Sequence, residues 1–309
     1  MKKKSDNAVI QIVIATGITS VATQLLTIRE FLAQFNGNEF VIALILFNWL
    51  VLGGIGTLFA RIVHARYKKT ARDMLAWLSV SLAVFSPLQI LFIRELRDIV
   101  FIHGSSVGFY STFLYILFTI APYCLLVGFL LPFSLFHLRD EMPDFPPAHI
   151  YIADNLGDVA GGALFSFALV YLVTPLQAAG IASLPLLASL IFIFPGKPGK
   201  RFYLYAGICL DLILIGICIL YEPLSLKPPE GRLVEYSESR YGRMEIHKDG
   251  DLYTLFSDGT PTFSGSDMVS AEEAIHYPLS QLDVSDNILL ISAQSGMMKE
   301  ISKYKPPVG

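Results

Sequence analysis

Residues 40–60 read FVIALILFNWLVLGGIGTLFA, twenty-one residues without a charge. A helix needs about 20 mostly apolar residues to cross the hydrocarbon core of a bilayer, so this stretch is long enough to span one. Six further runs of the same kind surround it, at roughly 8–27, 74–93, 109–136, 156–174, 176–194 and 202–220. Together they predict an α-helical multi-pass membrane bundle of seven spans over residues 1–221. The first run does not read as a cleaved leader, because its apolar part is long, it lacks a small-residue cleavage site, and further spans follow. Residues 109–136 exceed one span and hold Pro122 and Pro132, so that run is expected to tilt, kink or split into two passes. Runs five and six meet at Pro175 as a tight helical hairpin.

Composition points the same way. Hydrophobic residues make up 53% of the 309 and charged residues 16%, with a mean hydropathy of +0.55. Soluble domains carry roughly 25% charged residues. A single soluble globule is therefore excluded, and so is disorder, which requires few apolar residues. The net charge of −3 gives no basic field for a nucleic-acid partner. The charge is unevenly divided. Residues 1–220 hold 15 Lys and Arg against 12 Asp and Glu, whereas residues 221–309 hold 8 against 14. An apolar bundle thus precedes an acidic, polar tail.

Cationic residues gather on the cytoplasmic side of membrane proteins. Lys2, Lys3 and Lys4, the stretch Arg61 to Arg72, Arg139, and Lys197 to Arg201 all fall on one side if the runs alternate. The opposite side holds Arg29, Arg94 and Arg97. This predicts a cell-membrane protein with a cytoplasmic N-terminus. Seven passes leave the tail outside; a split fourth run or a re-entrant one would bring it inside.

Ionisable residues at membrane depth are costly and face protein or a water-filled cavity. Four candidates stand out: Glu30 beside Arg29, Asp154, Asp158 and Asp211. The first three read more readily as interfacial charges or as acids at a helix start, where Asp158 suits the macrodipole, than as functional groups. Asp211 sits well inside a run and fits either a function or a structural pair. Gly157 and Gly161, followed by Gly162 and Ala163, allow close helix packing, as do Gly53, Gly54 and Gly56. Cys124, Cys209 and Cys218 lie in apolar runs with no framework spacing, so neither disulfides nor zinc are expected from them.

Residues 222–231 form a proline-rich linker, and period-2 patterning follows. Tyr241 to His247, Asp251 to Ser257 and Thr260 to Ser264 read as strands. Asp249-Gly250 and Asp258-Gly259 are the turns of an antiparallel meander placed in 232–266. Residues 267–278 read as an acid-headed helix stopped by Pro278. Asn287 to Ile291 reads as a buried strand running through Ser292-Ala-Gln-Ser-Gly296 into a helix at Met297 to Ile301. A strand, a small-residue turn and a helix open a nucleotide-binding α/β unit. Residues 267–309 are therefore expected to begin a Rossmann-like domain without completing it.

At these residues the chain resembles the membrane-embedded relatives of the spermidine/spermine synthases, the polyamine aminopropyltransferases. Ser257-Asp258-Gly259 stands at the family's LDG motif, Asp267 to Glu273 at its DExxYHE segment, and His276-Tyr-Pro-Leu279 at the following His-x-Pro-Leu. Ile288 to Glu300 stands at the glycine-turn segment. Glu30, the glycine-rich second run and Tyr151-x-x-Asp-Asn-x-Gly157 match the membrane half of such fusions. The resemblance implies decarboxylated S-adenosylmethionine as co-substrate, held at Thr262, Ser292, Gln294, Ser295 and Gly296, and a polyamine held at Asp267, Glu272 and Glu273. It also shows departures. Thr262 replaces the family glutamine, Ala271 and Glu272 replace the Tyr and His of YHE, and the glycine turn loses its acid. No catalytic residue is assigned, and the chain alone is expected not to catalyse transfer because the catalytic half is absent from it.

Two other readings stay open. One is a transporter or solute-binding membrane protein with a regulatory tail, supported by Asp211 and the acids near run five, although no paired broken helices are evident. The other is a scaffold whose second chain completes the α/β domain. The six histidines show no ligand spacing, so no metal site is expected, and no cofactor is required.

Overall fold

The computed structural model describes residues 2–35, 37–67, 70–101, 107–191, 198–226, 231–239, 241–265, 267–282, 287–291 and 296–304. The chain divides into two compact units, Met1–Leu226 and Lys227–Gly309.

The first unit is helical. It comprises α1 (Lys2–Gln34), α2 (Glu39–Tyr67), α3 (Ala71–Val100), α4 (Phe109–Glu141), α5 (Pro147–Leu164), a π-helical turn at Phe165–Leu169, α6 (Val170–Leu172), α7 (Pro175–Leu190) and α8 (Pro198–Ser225). Among the described residues, six stretches are long and apolar enough to cross a membrane: Asn7–Gln34, Glu39–Tyr67, Ala71–Arg97, Phe109–Glu141, Pro147–Leu172 and Leu204–Ser225. The sixth expected run differs. Helix α7 closes at Leu190 after 16 residues, about 24 Å at 1.5 Å per residue, against a hydrocarbon core of about 30 Å. Thr174 and Gln177 form a capping box at its start, with Pro175 at the first helical position.

Two expectations are corrected. The fourth run does not split, because α4 continues unbroken past Pro122 and Pro132. The fifth helix begins at Pro147, where the proline ring suits a helix start, and not at residue 156. Asp154 and Asp158 therefore lie in the middle of α5 and gain little from its macrodipole.

Helix α1 packs on α3, α4, α5 and α7, and α2 packs on α4. Glycines set the closest approaches. A Cβ on Gly157 would lie 2.2 Å from the Ile14 carbonyl oxygen, and one on Gly161 would lie 2.5 Å from that of Ile18. The expected GxxxG contact thus joins α5 to α1 backbone to backbone. In α2, Gly56 meets the Leu125 carbonyl, whereas Gly54 faces open space. Gly128 of α4, which presses on the Gly53 backbone, completes that contact. Ile12, Leu75, Tyr123, Leu130, Phe133 and Leu186 fill one apolar core; Phe31, Ile45, Ile93 and Ile116 fill another. Leu50, Leu58, Ile62, Phe118, Val159, Phe167 and Leu220 are exposed on the outside.

Arg94 reaches Glu30 near the end of α1 and Ser225 at the end of α8. The chain therefore leaves the bundle at the end opposite Lys2.

The second unit begins with a four-stranded antiparallel sheet in order β1-β2-β3-β4, formed by Arg232–Ser239, Gly242–Asp249, Leu252–Ser257 and Thr260–Ser264. Strand β1 is additional to the three expected. Asp258 (φ 47°) and Gly259 (φ 74°) make the β3–β4 turn in the left-handed region, as a two-residue hairpin requires. Helix α9 (Met268–Leu279) and the short α10 (Met297–Ser302) pack together. Residues 287–291 form no strand, and Leu289 and Ile291 are exposed. A strand needs a neighbour for its hydrogen bonds, and the four-stranded sheet closes its pairing among β1 to β4 without this segment.

Candidate functional site

The bundle interior carries a polar seam. Thr16, Thr19, Thr23, Thr27 and Glu30 recur at three- and four-residue spacing along α1 and are all buried. Ser79, Ser86, Gln89, Arg94 and Arg97 make the matching stripe on α3. Hydrogen bonds stitch the two together. Thr23 and Ser86 hydroxyls meet at 2.7 Å, and Gln89 Nε2 donates to Thr27 Oγ1 at 2.5 Å. Helix α7 joins through its backbone: Thr19 Oγ1 donates to the Ala182 carbonyl at 2.8 Å and Ser86 Oγ to the Ala179 carbonyl at 3.3 Å. In hydrocarbon such groups have no water to turn to, so pairing across helices is the favourable arrangement.

The seam ends in a charged lock. Arg94 Nε and an Arg94 terminal nitrogen donate to the two Glu30 oxygens at 2.9 Å each, a bidentate fork. The other terminal nitrogen donates to Ser225 Oγ at 2.8 Å and lies 3.5 Å from Glu222. Glu222 in turn accepts from the Leu176 N–H at 3.1 Å and from the Thr174 hydroxyl, at the N-terminus of α7, where the helix favours an anion. Glu30, Arg94 and Glu222 are at most 4% exposed. Four helix ends are thereby tied by one guanidinium and two carboxylates. Nearby, Arg97 Nε donates to the Gln34 carbonyl and its guanidinium lies over Phe35. The sequence pointed to Glu30 but set Arg94 in a loop. It is the last turns of α3 that carry Arg94 to Glu30.

Asp211 stands apart. Its side chain is fully buried in α8, and neither carboxylate oxygen has a hydrogen-bond partner. Helix α8 packs on α3 and α7. Helix α7 contains no charged residue, and α3 has none between Asp73 and Arg94. Asn48 of α2 is likewise buried, with its amide unpartnered. Asp154 and Asp158 are half-buried on α5, on either side of Gly157. They share that helix and do not join the lock. Cys124, Cys209 and Cys218 are free thiols, the first and last buried.

In the second unit, the expected ligand residues are spread out. Thr262 is exposed on β4 and donates to the Thr260 carbonyl at 3.2 Å. Asp267 caps α9. Its carboxylate accepts from the Ser270 N–H at 3.1 Å and the Ser270 hydroxyl at 2.7 Å, which holds it below the usual carboxylate range. Glu273 is exposed. Gly296, with φ 90°, caps α10. Ser292, Gln294 and Ser295 lie outside the described residues. Glu272 is drawn instead into a cluster with His276, Glu300, Lys303 and Tyr304. Lys303 and, second, His276 hold the Glu300 carboxyl below its usual range, and Glu300 holds the Lys303 ammonium above its own. The sequence reading missed this cluster because 24 residues separate His276 from Glu300; their meeting depends on α10 folding back onto α9.

Comparison of the chain with protein-family models, with curated proteins and with solved structures finds no match.

Proposed function

We propose that this chain is an integral membrane protein of the cell membrane, related to the spermidine/spermine synthases, whose bundle anchors a soluble unit of the aminopropyltransferase type. The carrying observation is element order. An antiparallel meander with Asp258-Gly259 in a turn is followed at once by a helix that Asp267 caps and that ends in His276-Tyr-Pro-Leu279. These are the elements that the resemblance calls for, in the same succession. Residues 287–301 begin the α/β part in this reading, and 287–291 take strand form beside a sheet strand supplied by another chain.

In aminopropyl transfer, a neutral amine nitrogen attacks the methylene beside a sulfonium. The C–N bond forms as the C–S bond breaks, the electron pair returns to sulfur, and a carboxylate takes the proton. Here Asp267 is committed to its cap and Glu272 lies beside Lys303. Glu273 is the acid free to meet an ammonium group. Thr262 and Gly296 face the nucleoside in this reading. In this reading the unit binds its ligands without turning them over. The test is calorimetry of the full chain in detergent with decarboxylated S-adenosylmethionine and with putrescine. Saturable binding weakened by Glu273→Gln supports the reading, and no binding of either refutes it. Product above a no-protein control overturns the claim of inactivity.

A second reading has its own observation. An unpartnered, fully buried Asp211 is what a bundle that handles a cationic solute would hold. Uptake of labelled polyamine into vesicles, compared between wild type and Asp211→Asn, tests it; equal uptake removes its support.

A further inference from the structure

Glu272 and His276 lie four residues apart on α9, so their side chains share one face of the helix. Glu300 of α10 comes against that face. One carboxylate oxygen from each glutamate and an imidazole nitrogen lie within 4.8 Å of one another. His276 Nε2 is 2.9 Å from Glu300 Oε2, and His276 Nδ1 is 2.5 Å from the Tyr304 hydroxyl. Glu300 is only 2% exposed, although it is a carboxylate on a six-residue helix.

We propose that Glu272, His276 and Glu300 form a binding site for a divalent transition-metal ion, with zinc as its natural class. Three features carry the inference. The donor set of two carboxylate oxygens and one imidazole suits zinc and leaves a fourth position open. Ligand atoms about 2.0–2.1 Å from a tetrahedral zinc stand about 3.4 Å apart. His276 Nε2 and Glu300 Oε2, now 2.9 Å apart, would open slightly, and the three ligand atoms already lie within 4.8 Å of one another. The imidazole is also oriented by its other nitrogen, as metal-bound histidines are. When Nε2 binds the ion, Nδ1 carries the proton and donates to the Tyr304 oxygen, a role that a hydroxyl accepts readily.

The cluster already holds a cation. Lys303 lies against Glu300 and 3.9 Å from Glu272. Its side chain is 49% exposed, so it can swing into water and be solvated there. The ammonium is thus a monovalent occupant of the place a divalent ion takes, and the two compete. Protons compete with a metal for its ligand atoms, so affinity falls on acidification. The site stands on α9 and α10 alone and does not depend on the aminopropyltransferase reading.

The test is zinc titration of the full chain in detergent, without a polyhistidine tag and stripped of metal, against a chromophoric chelator. One zinc per chain is expected. Glu272→Gln and His276→Ala each weaken binding at least about tenfold, and Tyr304→Phe weakens it about tenfold. Lys303→Met tightens binding, and unchanged affinity overturns the claim of competition. Glu272 is partly exposed, so Glu272→Gln keeps the fold, which circular dichroism checks. Absent stoichiometric binding, or binding untouched by both Glu272→Gln and His276→Ala, overturns the site. Weaker binding in Lys303→Met overturns the claim that the ammonium stands in the metal's place.

Discussion

Replacing Arg94 with methionine removes the guanidinium and keeps most of the side chain's apolar length. The Glu30 carboxylate, fully buried, then loses two charge-assisted bonds of 2.9 Å each. Removing one partner of a buried pair costs about 3–5 kcal/mol, because the other charge is left in an apolar interior. Glu30 keeps the Gln34 amide at 3.3 Å, and Glu222 keeps the Leu176 N–H and the Thr174 hydroxyl. Arg94→Met should therefore destabilise the bundle by about 3–5 kcal/mol, mostly through Glu30. The double change Glu30→Leu with Arg94→Met should recover most of that loss, because an apolar replacement of a buried ion pair is close to neutral. Unfolding in mixed micelles of increasing dodecyl sulfate content, followed by near-ultraviolet circular dichroism, gives both values. A loss under about 1 kcal/mol for Arg94→Met, or a double variant as unstable as the two single losses added, would refute the lock.

Close packing gives a second expectation: Gly157→Ala, whose Cβ would meet the Ile14 carbonyl at 2.2 Å, should cost about 1–3 kcal/mol in the same assay. Gly162→Ala, with only Val21 at 3.8 Å, should stay within about 0.5 kcal/mol of wild type, and equal losses in the two would contradict the α1–α5 contact. A third concerns pH. Glu300 is held below its usual range, so the unfolded chain binds the proton first and the stabilising effect is complete above the ordinary carboxylate range. It is lost as pH falls through the lowered value. Lys303 is raised, so its share is complete below the ordinary lysine range and lost as pH rises through the raised value. Protection of the α9 and α10 amides, taken relative to the intrinsic exchange rate at each pH, should be greatest between these limits; lower protection at neutral pH than at either extreme would contradict the His276–Glu300–Lys303 cluster.

The long helices were legible because a bilayer imposes length and apolarity that composition alone records. Where the outcome differed, the cause was local. The start of α5 was hidden because Asp154 and Asn155 interrupt its apolar residues, although Pro147 favours a helix start. Strand β1 was hidden because Glu235 and Glu238 interrupt its apolar residues and much of it is exposed. Asn287 to Ile291 carried a strand-like run of isoleucine and leucine, yet strand form depends on a partner that no local pattern supplies. Among site residues, Glu30 and Asp211 stood out as acids in apolar runs. Arg94, Glu222 and the His276 cluster did not, since each gains its meaning from a residue far along the chain. Alternation of the helices offered a signal for Arg94, because it places the ends of α1 and α3 together.

The central claim is that the helical unit crosses a membrane, with Lys2 and Ser225 at opposite ends of it. Single cysteines at Ser5 and at Leu226, in a chain with Cys124, Cys209 and Cys218 replaced, test it with an impermeant maleimide on oriented vesicles. Ser5→Cys should react from the cytoplasmic side only and Leu226→Cys from the other side only, with the chain still in the membrane after an alkaline wash. Recovery of the chain in the wash, or reaction of both positions from one side, would contradict the account.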